Sequence, residues 1–321
     1  MNKTCAFAAA SLTVFALFQG HALAQAYPTK PITLLIPFPP GTGNDVIGRA
    51  LGLKLTESIG QPIVPENRAG ASGNIAADLA SKAAPDGYTL FIASSSFTLN
   101  MHVSKVPYTL NNFTGVSLLG RLPYTLSVPA SLPAKALPDL VAMAKAKPGA
   151  LSGATGGNST AGFFLLEAFK KAAGIFVVPI AYKGTTESIP DLIAERVHML
   201  FAPMVTSLPL QKSGKLRTLG VTGSKRNPLL PDVPTFTEAG FPMLDIPQWF
   251  AILVPAGTPR PIVAKLNGEI VKAMRMKDVQ DQLSRLGVEP ATGTPEETEA
   301  FLKRDWANWG KAVKDSGITA P

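Results

Sequence analysis

Two hydrophobic periods alternate along this chain, and that alternation limits the fold more than any other feature. Short apolar runs rich in β-branched residues recur at Ile32 to Phe38, Ile63 to Glu66, Thr89 to Ala93, Leu151 to Ala154, Val177 to Ala181, His198 to Phe201 and Thr218 to Val221. Between them lie stripes at helical spacing, such as Ile47, Leu51, Leu55 and Ile59 after the first run, or Leu165, Leu166, Phe169 and Ala173 after the fourth. Runs of 4–8 apolar residues suit strands, and a 3.6-residue stripe suits a helix with one face against a sheet. Strand and helix in turn make parallel crossover units, so the expected class is α/β with mixed, mostly parallel sheets. Two further stripes, Val263, Leu266, Ile270, Met274 and Leu302, Trp306, Trp309, Val313, read as packing faces of C-terminal helices.

The first residues carry a separate signal. Lys3 precedes an apolar stretch from Ala6 to Phe18 and then Ala22-Leu23-Ala24, the small-residue pattern of a secretory signal peptide. The stretch is shorter than the ~20 residues that span a bilayer, so residues 1–24 are expected to be removed and the product exported to the periplasm. Cleavage after Ala26 is the other acceptable site. The single cysteine, Cys5, lies inside the removed segment, which excludes thiol chemistry from the product. At ~150 residues per domain, residues 25–321 suit two lobes. Prolines 123, 129 and 133, and again 242 and 247 before an apolar strand Trp249 to Val254, mark two hinge crossings. The expected division is 25–122 with 249–321 as lobe one and 123–248 as lobe two.

Ligands in open α/β sheets bind beyond the carboxyl ends of strands, where helices begin with unpaired N–H groups. The loops at those places share one composition. Gly41, Thr42, Gly43 and Asn44 follow the first run, with Phe38 beside them, and Ser94, Ser95 and Ser96 follow the third. Asn158, Ser159 and Thr160 follow the fourth, and Tyr182, Lys183, Gly184 and Thr185 follow the fifth. Ala69 to Asn74 forms a loop of the same kind after the second. Glycine, amide and hydroxyl donors with almost no acidic side chains suit an anion, and a carboxylate there gains charge-assisted hydrogen bonds. Such residues also serve plain capped turns, so the number and placement of the loops carry the reading. Asn44 or Asp45 is expected to cap the helix, since an Asp45 carboxylate would repel an anion. Lys183 is either the counter-ion or a solvent-facing residue whose backbone does the holding. Phe38, Phe97 and Met204 are candidate apolar walls, which suits a dicarboxylate with an aliphatic or aromatic body.

Other chemistries fare worse. Gly157-Asn158-Ser159-Thr160-Ala161 is one glycine short of a nucleophile elbow, and a serine hydrolase using Ser159 would need His198 with Glu187, Asp191 or Glu195. Gly41-Thr42-Gly43 meets Val46 where a dinucleotide fingerprint needs glycine or alanine. Isolated histidines and no cysteine after cleavage offer no metal cluster, so neither metal nor cofactor is expected. The net charge of +8 is dispersed, with basic pairs such as Lys170-Lys171 and no nucleic-acid patch. It can steer small anions.

Several segments together carry a resemblance. Tyr27 to Ile32, Pro37 to Asp45, Glu66 to Ala71, Pro85 to Leu90, Ala181 to Gly184 and Val254 to Pro259 resemble the Bug-type periplasmic solute-binding proteins of tripartite tricarboxylate transporters. The resemblance implies a type II flytrap, a two-lobed periplasmic binding protein, monomeric and not an enzyme. It implies a carboxylate held, partly through water, between the loop after the first strand and the Tyr182-Lys183-Gly184 loop. It also implies a membrane permease as partner, with a membrane sensor kinase as the alternative reader of the closed form. Thr42 stands where the family usually has a second glycine.

Overall fold

The computed structural model describes residues 27–246 and 248–318. The expected signal peptide and Pro247 lie outside the described residues. The chain enters through β1 (Ile32–Ile36), α1 (Gly43–Ile59), β2 (Ile63–Asn67), α2 (Asn74–Ser81), β3 (Thr89–Ser94) and α3 (Ser95–Val103). It then runs along β4 (Phe113–Leu122) directly into β5 (Tyr124–Pro129), with Pro123 between them. α4 (Leu137–Ala146), β6 (Ser152–Thr155), α5 (Ala161–Ala173), β7 (Val178–Ala181), α6 (Ile189–Ile193), β8 (Met199–Pro203), α7 (Met204–Lys212) and β9 (Leu216–Val221) follow. The last elements are β10 (Gln248–Pro255), α8 (Arg260–Met274), α9 (Lys277–Arg285), β11 (Glu289–Pro290) and α10 (Pro295–Ser316).

These strands form two sheets, and each sheet underlies one lobe. Lobe one has the order β11-β4-β10-β3-β1-β2, and lobe two the order β7-β6-β8-β5-β9. In lobe one, β1 pairs parallel with β2 and β3, while β10 runs antiparallel between β3 and β4. In lobe two, β6 pairs parallel with β7 and β8, and β5 runs antiparallel to β8 and β9. Each sheet is thus mixed, with four strands pointing one way, as the alternating periods predict. A two-lobed α/β architecture results.

All seven alternating runs and the expected strand Trp249 to Val254 are present as strands, and the stripes behave as packing faces. Ile47, Leu51 and Leu55 are buried against the first sheet, and Leu165, Leu166 and Phe169 against the second. Each such side chain contributes ~1.5–3 kcal/mol on leaving water. Trp306 departs from its predicted stripe. It is 41% exposed and stacks on His102 with ring centroids 4.7 Å apart, while Leu302 and Trp309 are buried. Two long strands, β4 and β5, were not signalled by periodicity. Gly115 and Gly120 interrupt the alternation in β4, and β5 lies between prolines 123 and 129, which read as punctuation.

Both β5 and β10 leave a hinge and enter a sheet interior. The C-terminal helix α10 spans the two lobes. Leu302 joins the lobe-one cluster containing Trp249 and Phe91, whereas Trp309 packs edge-on against Phe164 of α5 at 5.1 Å. No helix among the described residues is long and apolar enough to cross a membrane.

Candidate ligand site between the lobes

The carboxyl ends of β1 and β3 face those of β6 and β8 across the cleft, so the helices that follow point their N-termini at one another. Between them lies a narrow cavity. Lobe one lines it with Phe38, Thr42, Gly43, Asn44 and Ser96, and lobe two with Gly156, Thr160, Gly162, Thr185, Phe201 and Pro203. Tyr124 and Gln248, the first residues of the two crossing strands, complete the lining. No lining residue is charged.

The electrostatics come from the backbone. Thr42 is the N-cap of α1 but makes no side-chain cap, because its hydroxyl donates to the Pro39 carbonyl at 2.8 Å. Ser94 before α3 and Pro203 before α7 likewise make no side-chain cap. First-turn N–H groups of α1 and α3 are therefore left without a side-chain partner, whereas the first N–H of α7, on Met204, donates to the Pro123 carbonyl at 2.9 Å; each helix carries a positive end of about half a unit charge. α5 differs, since the Thr160 hydroxyl accepts from its own Phe163 N–H at 3.3 Å.

The first loop is held from behind. Asp45 is buried, and its carboxylate accepts from the Gly41 N–H at 2.9 Å, from Arg49 at 2.8 Å and from the Asn67 amide at 2.9 Å. The Asn44 amide donates to the Ile92 carbonyl at 3.0 Å. The expectation that one of these two caps the helix is corrected: neither side chain makes a cap hydrogen bond, and both fix the loop to its sheet. Gly43 sits so close to β10 and α7 that a Cβ would lie 2.8 Å from the Phe250 ring and 3.3 Å from Val205. Only glycine allows that approach.

The cleft is closed. Ser159 N–H donates to the Ser72 hydroxyl at 3.2 Å, Ala161 N–H donates to the Ser96 hydroxyl at 3.2 Å, and the Thr186 hydroxyl donates to the Pro40 carbonyl at 3.2 Å. Ser72 reaches across from a segment, Gly70 to Gly73, in which every residue has positive φ. Gly184 meets Pro39 so tightly that a Cβ would be 2.4 Å from its Cδ.

The predicted site residues divide accordingly. Phe38, Thr42, Gly43, Asn44, Ser96, Thr160 and Thr185 line the cavity. Gly41, Ser159 and Gly184 stand at its edge as loop or lobe-to-lobe contacts, and Ser94 is buried at the end of β3. Asn158 and Lys183 are exposed, and the Lys183 N–H donates to Glu187 at 3.2 Å. The Tyr182 hydroxyl turns to Asp191 at 2.7 Å, and burial together with that carboxylate pushes its pKa up to about 12. Phe97 and Met204 are core side chains, so of the three expected walls only Phe38 faces the cavity.

Sequence reasoning missed Tyr124 and Gln248 as lining residues, together with Gly156, Gly162, Phe201 and Pro203. The signal for the first two was available, because residues just after a hinge proline open onto the cleft that the hinge closes. Ser95 and Tyr124 both donate to the Gln248 side-chain oxygen, the latter at 3.1 Å. Burial pushes the Tyr124 phenol well above its usual range, with the Ser95 and Ser96 hydroxyls offsetting part of the effect, so it acts as a neutral donor.

The hydrolase reading fails on geometry. β6 and β8 are parallel with Gly153 opposite Met199, which places His198 beside Ser152, and the two side chains are 3.1 Å apart. His198 is thus at the amino end of β6, whereas Ser159 follows its carboxyl end. Asp191 is engaged by Tyr182 and Arg196, and Glu195 by Ser131. No group of three metal-ligating side chains occurs among the described residues.

Known proteins share this fold. Residues 47–318 match the family described as tripartite tricarboxylate transporter family receptor. The protein BugT of Bordetella pertussis is 36% identical over 298 residues, covering 92% of this chain and 91% of its own. Among solved structures, Rpa4515 of R. palustris, determined with adipate, has a TM-score of 0.88 at 33% identity, covering 91% of this chain and 99% of that one. MatC from Rhodopseudomonas palustris, with bound malate, has a TM-score of 0.84 at 28% identity, covering 89% and 100%. Two mixed sheets and a family match over most of the length agree: the chain belongs to the tripartite tricarboxylate transporter receptors, a family of solute-binding receptors and not of enzymes.

Proposed function

We propose that this receptor captures a small dicarboxylate between its lobes in the periplasm and delivers it to the membrane permease of a tripartite tricarboxylate-type transporter. The observation that carries the proposal is the cavity lining. It has no charged side chain, yet the N-termini of α1 and α3 open onto it without side-chain caps. An anion there is met by fixed N–H dipoles and hydroxyls, while a cation finds no carboxylate. Phe38, Phe201 and Pro203 suit the hydrocarbon part between two carboxylates. The relatives solved with adipate and with malate support the ligand class.

The family match supports the transport role, and the Lys3, Ala6 to Phe18 and Ala22-Leu23-Ala24 pattern supports export. A thermal-shift panel of dicarboxylates, monocarboxylates, sugars and amino acids on residues 25–321 tests the ligand class. A ligand at a hundred times its Kd adds about 2.7 kcal/mol of stability. Dicarboxylates are expected to raise the melting temperature, and a response to sugars alone would overturn the reading.

A further inference from the structure

At the floor of the cavity lies a group that the fold itself does not use up. Gln248 opens β10, is 3% exposed and lines the cavity. Its side-chain oxygen receives two hydroxyl protons, from Ser95 at the start of α3 and from Tyr124 at the start of β5. Two donors converging on that oxygen turn the NH2 of the same amide the other way. Among the described residues no acceptor pairs with that NH2, and the nitrogen keeps contact with the cavity space although Gln248 as a whole is 3% exposed. The cavity is the space it faces, and once a ligand displaces water from that space the amide donor is expensive to leave unpaired. The anchoring hydroxyls come from a different element each, so the amide cannot rotate away without breaking two hydrogen bonds.

The cavity therefore has two kinds of donor. The N-termini of α1 and α3 supply main-chain N–H groups, and Gln248 supplies a side-chain NH2 from the hinge. Resting on the dicarboxylate reading above, we infer that Gln248 is a specificity-determining residue. Its amide NH2 binds the second carboxylate of a ligand whose first carboxylate lies at the helix N-termini. A site built to satisfy a ligand oxygen discriminates against an analogue lacking it, because the buried donor is then left without a partner. A neutral amide also explains how a second anionic group is accepted with no positive side chain in the lining. Tyr124 and Ser95 act as positioning residues by holding the amide in the donating orientation.

The test uses isothermal titration of residues 25–321 with succinate, glutarate, adipate and pimelate, each beside the monocarboxylate of equal carbon number. Wild type is expected to favour its best dicarboxylate over the matched monocarboxylate by ~30-fold or more. Gln248→Met is expected to weaken the dicarboxylate at least ~10-fold while changing the monocarboxylate less than ~3-fold. Gln248→Glu places a carboxylate against the ligand and is expected to lose the dicarboxylate almost entirely. Tyr124→Phe, which keeps the ring and removes only the hydroxyl, moves the selectivity ratio in the same direction by a smaller factor.

Equal weakening of both ligand classes in Gln248→Met and Tyr124→Phe would show a purely structural amide and overturn the inference. Wild type binding both classes equally would overturn it while leaving carboxylate capture intact. Wild type binding no carboxylate would overturn both.

Discussion

The two lobes are built on one strand order and yet meet the cavity differently. In each, the first three parallel strands lie in the order second, first, third, and an antiparallel strand from across the hinge separates the third from the fourth. Lobe one receives that strand, β10, late in the chain, while lobe two receives β5 as its first strand. The exchange brings Tyr124 and Gln248 together at the hinge. Lobe one then presents helix termini without side-chain caps, braced by Asp45 and Asn44. Lobe two presents a self-capped helix at Thr160, close-packed glycines at 156 and 162, and a loop whose polar side chains, Tyr182 and Lys183, turn away. The comparison assigns anion binding mainly to lobe one and closure mainly to lobe two.

Substitutions can break that division. The largest effect is expected from Gly43→Val in lobe one. The new side chain collides with Phe250 and Val205 and displaces the α1 terminus, so at ~1.5–3 kcal/mol per charge-assisted bond the Kd for the best dicarboxylate should rise more than ~100-fold by titration calorimetry. Gly184→Val in lobe two meets Pro39 and holds the lobes apart. It should raise the dissociation rate more than it lowers the association rate, with a net loss of ~10–100-fold, as seen by stopped-flow fluorescence and by a larger radius of gyration in the ligand-bound sample.

Asp305 on the bridging helix α10 sharpens the comparison through stability. Burial raises its carboxyl pKa, with the Thr98 hydroxyl at 2.6 Å and the charge of Arg121 offsetting part of the rise. A carboxyl with a raised folded pKa favours the folded state most when protonated, and that contribution is lost as pH climbs from ~4 through the raised value. Asp305→Asn should therefore raise the melting temperature at pH 7, with a smaller gain or none at pH 4. The smallest effect is expected from Lys183→Ala, which should change the dicarboxylate Kd less than ~3-fold because the side chain is exposed and screened. A tenfold loss would return charge recognition to lobe two.

Much of the fold was legible because it rests on periodicity. The seven β-branched runs became strands, and the stripe at Ile47, Leu51 and Leu55 became a buried helix face. Periodicity failed where a strand is continuous with a hinge, as in β4 and β5, whose glycines and prolines imitate loop composition. In the site, position along the chain located the loops, but the direction of each side chain came from long-range partners. Asp45 turns to Gly41 and Asn67, and Tyr182 turns to Asp191, because those acceptors and donors are buried beside them. Gln248 was silent in the sequence, since its meaning depends on Ser95 and Tyr124, more than a hundred residues away.

A second space tests the account by contrast. Behind the hinge, Arg121, Asp245, Arg304 and Asp305 line a groove beside Trp249 and α10, with charges of both signs that the interlobe cavity lacks. The most direct measurement is a crystal structure of residues 25–321 with the dicarboxylate that gives the largest thermal shift. One carboxylate is expected between the lobes, within ~3 Å of main-chain N–H groups at the start of α1 or α3 or of a water they hold. A dicarboxylate seated instead on Arg121 and Arg304 behind the hinge, with the interlobe cavity free of ligand, would contradict it.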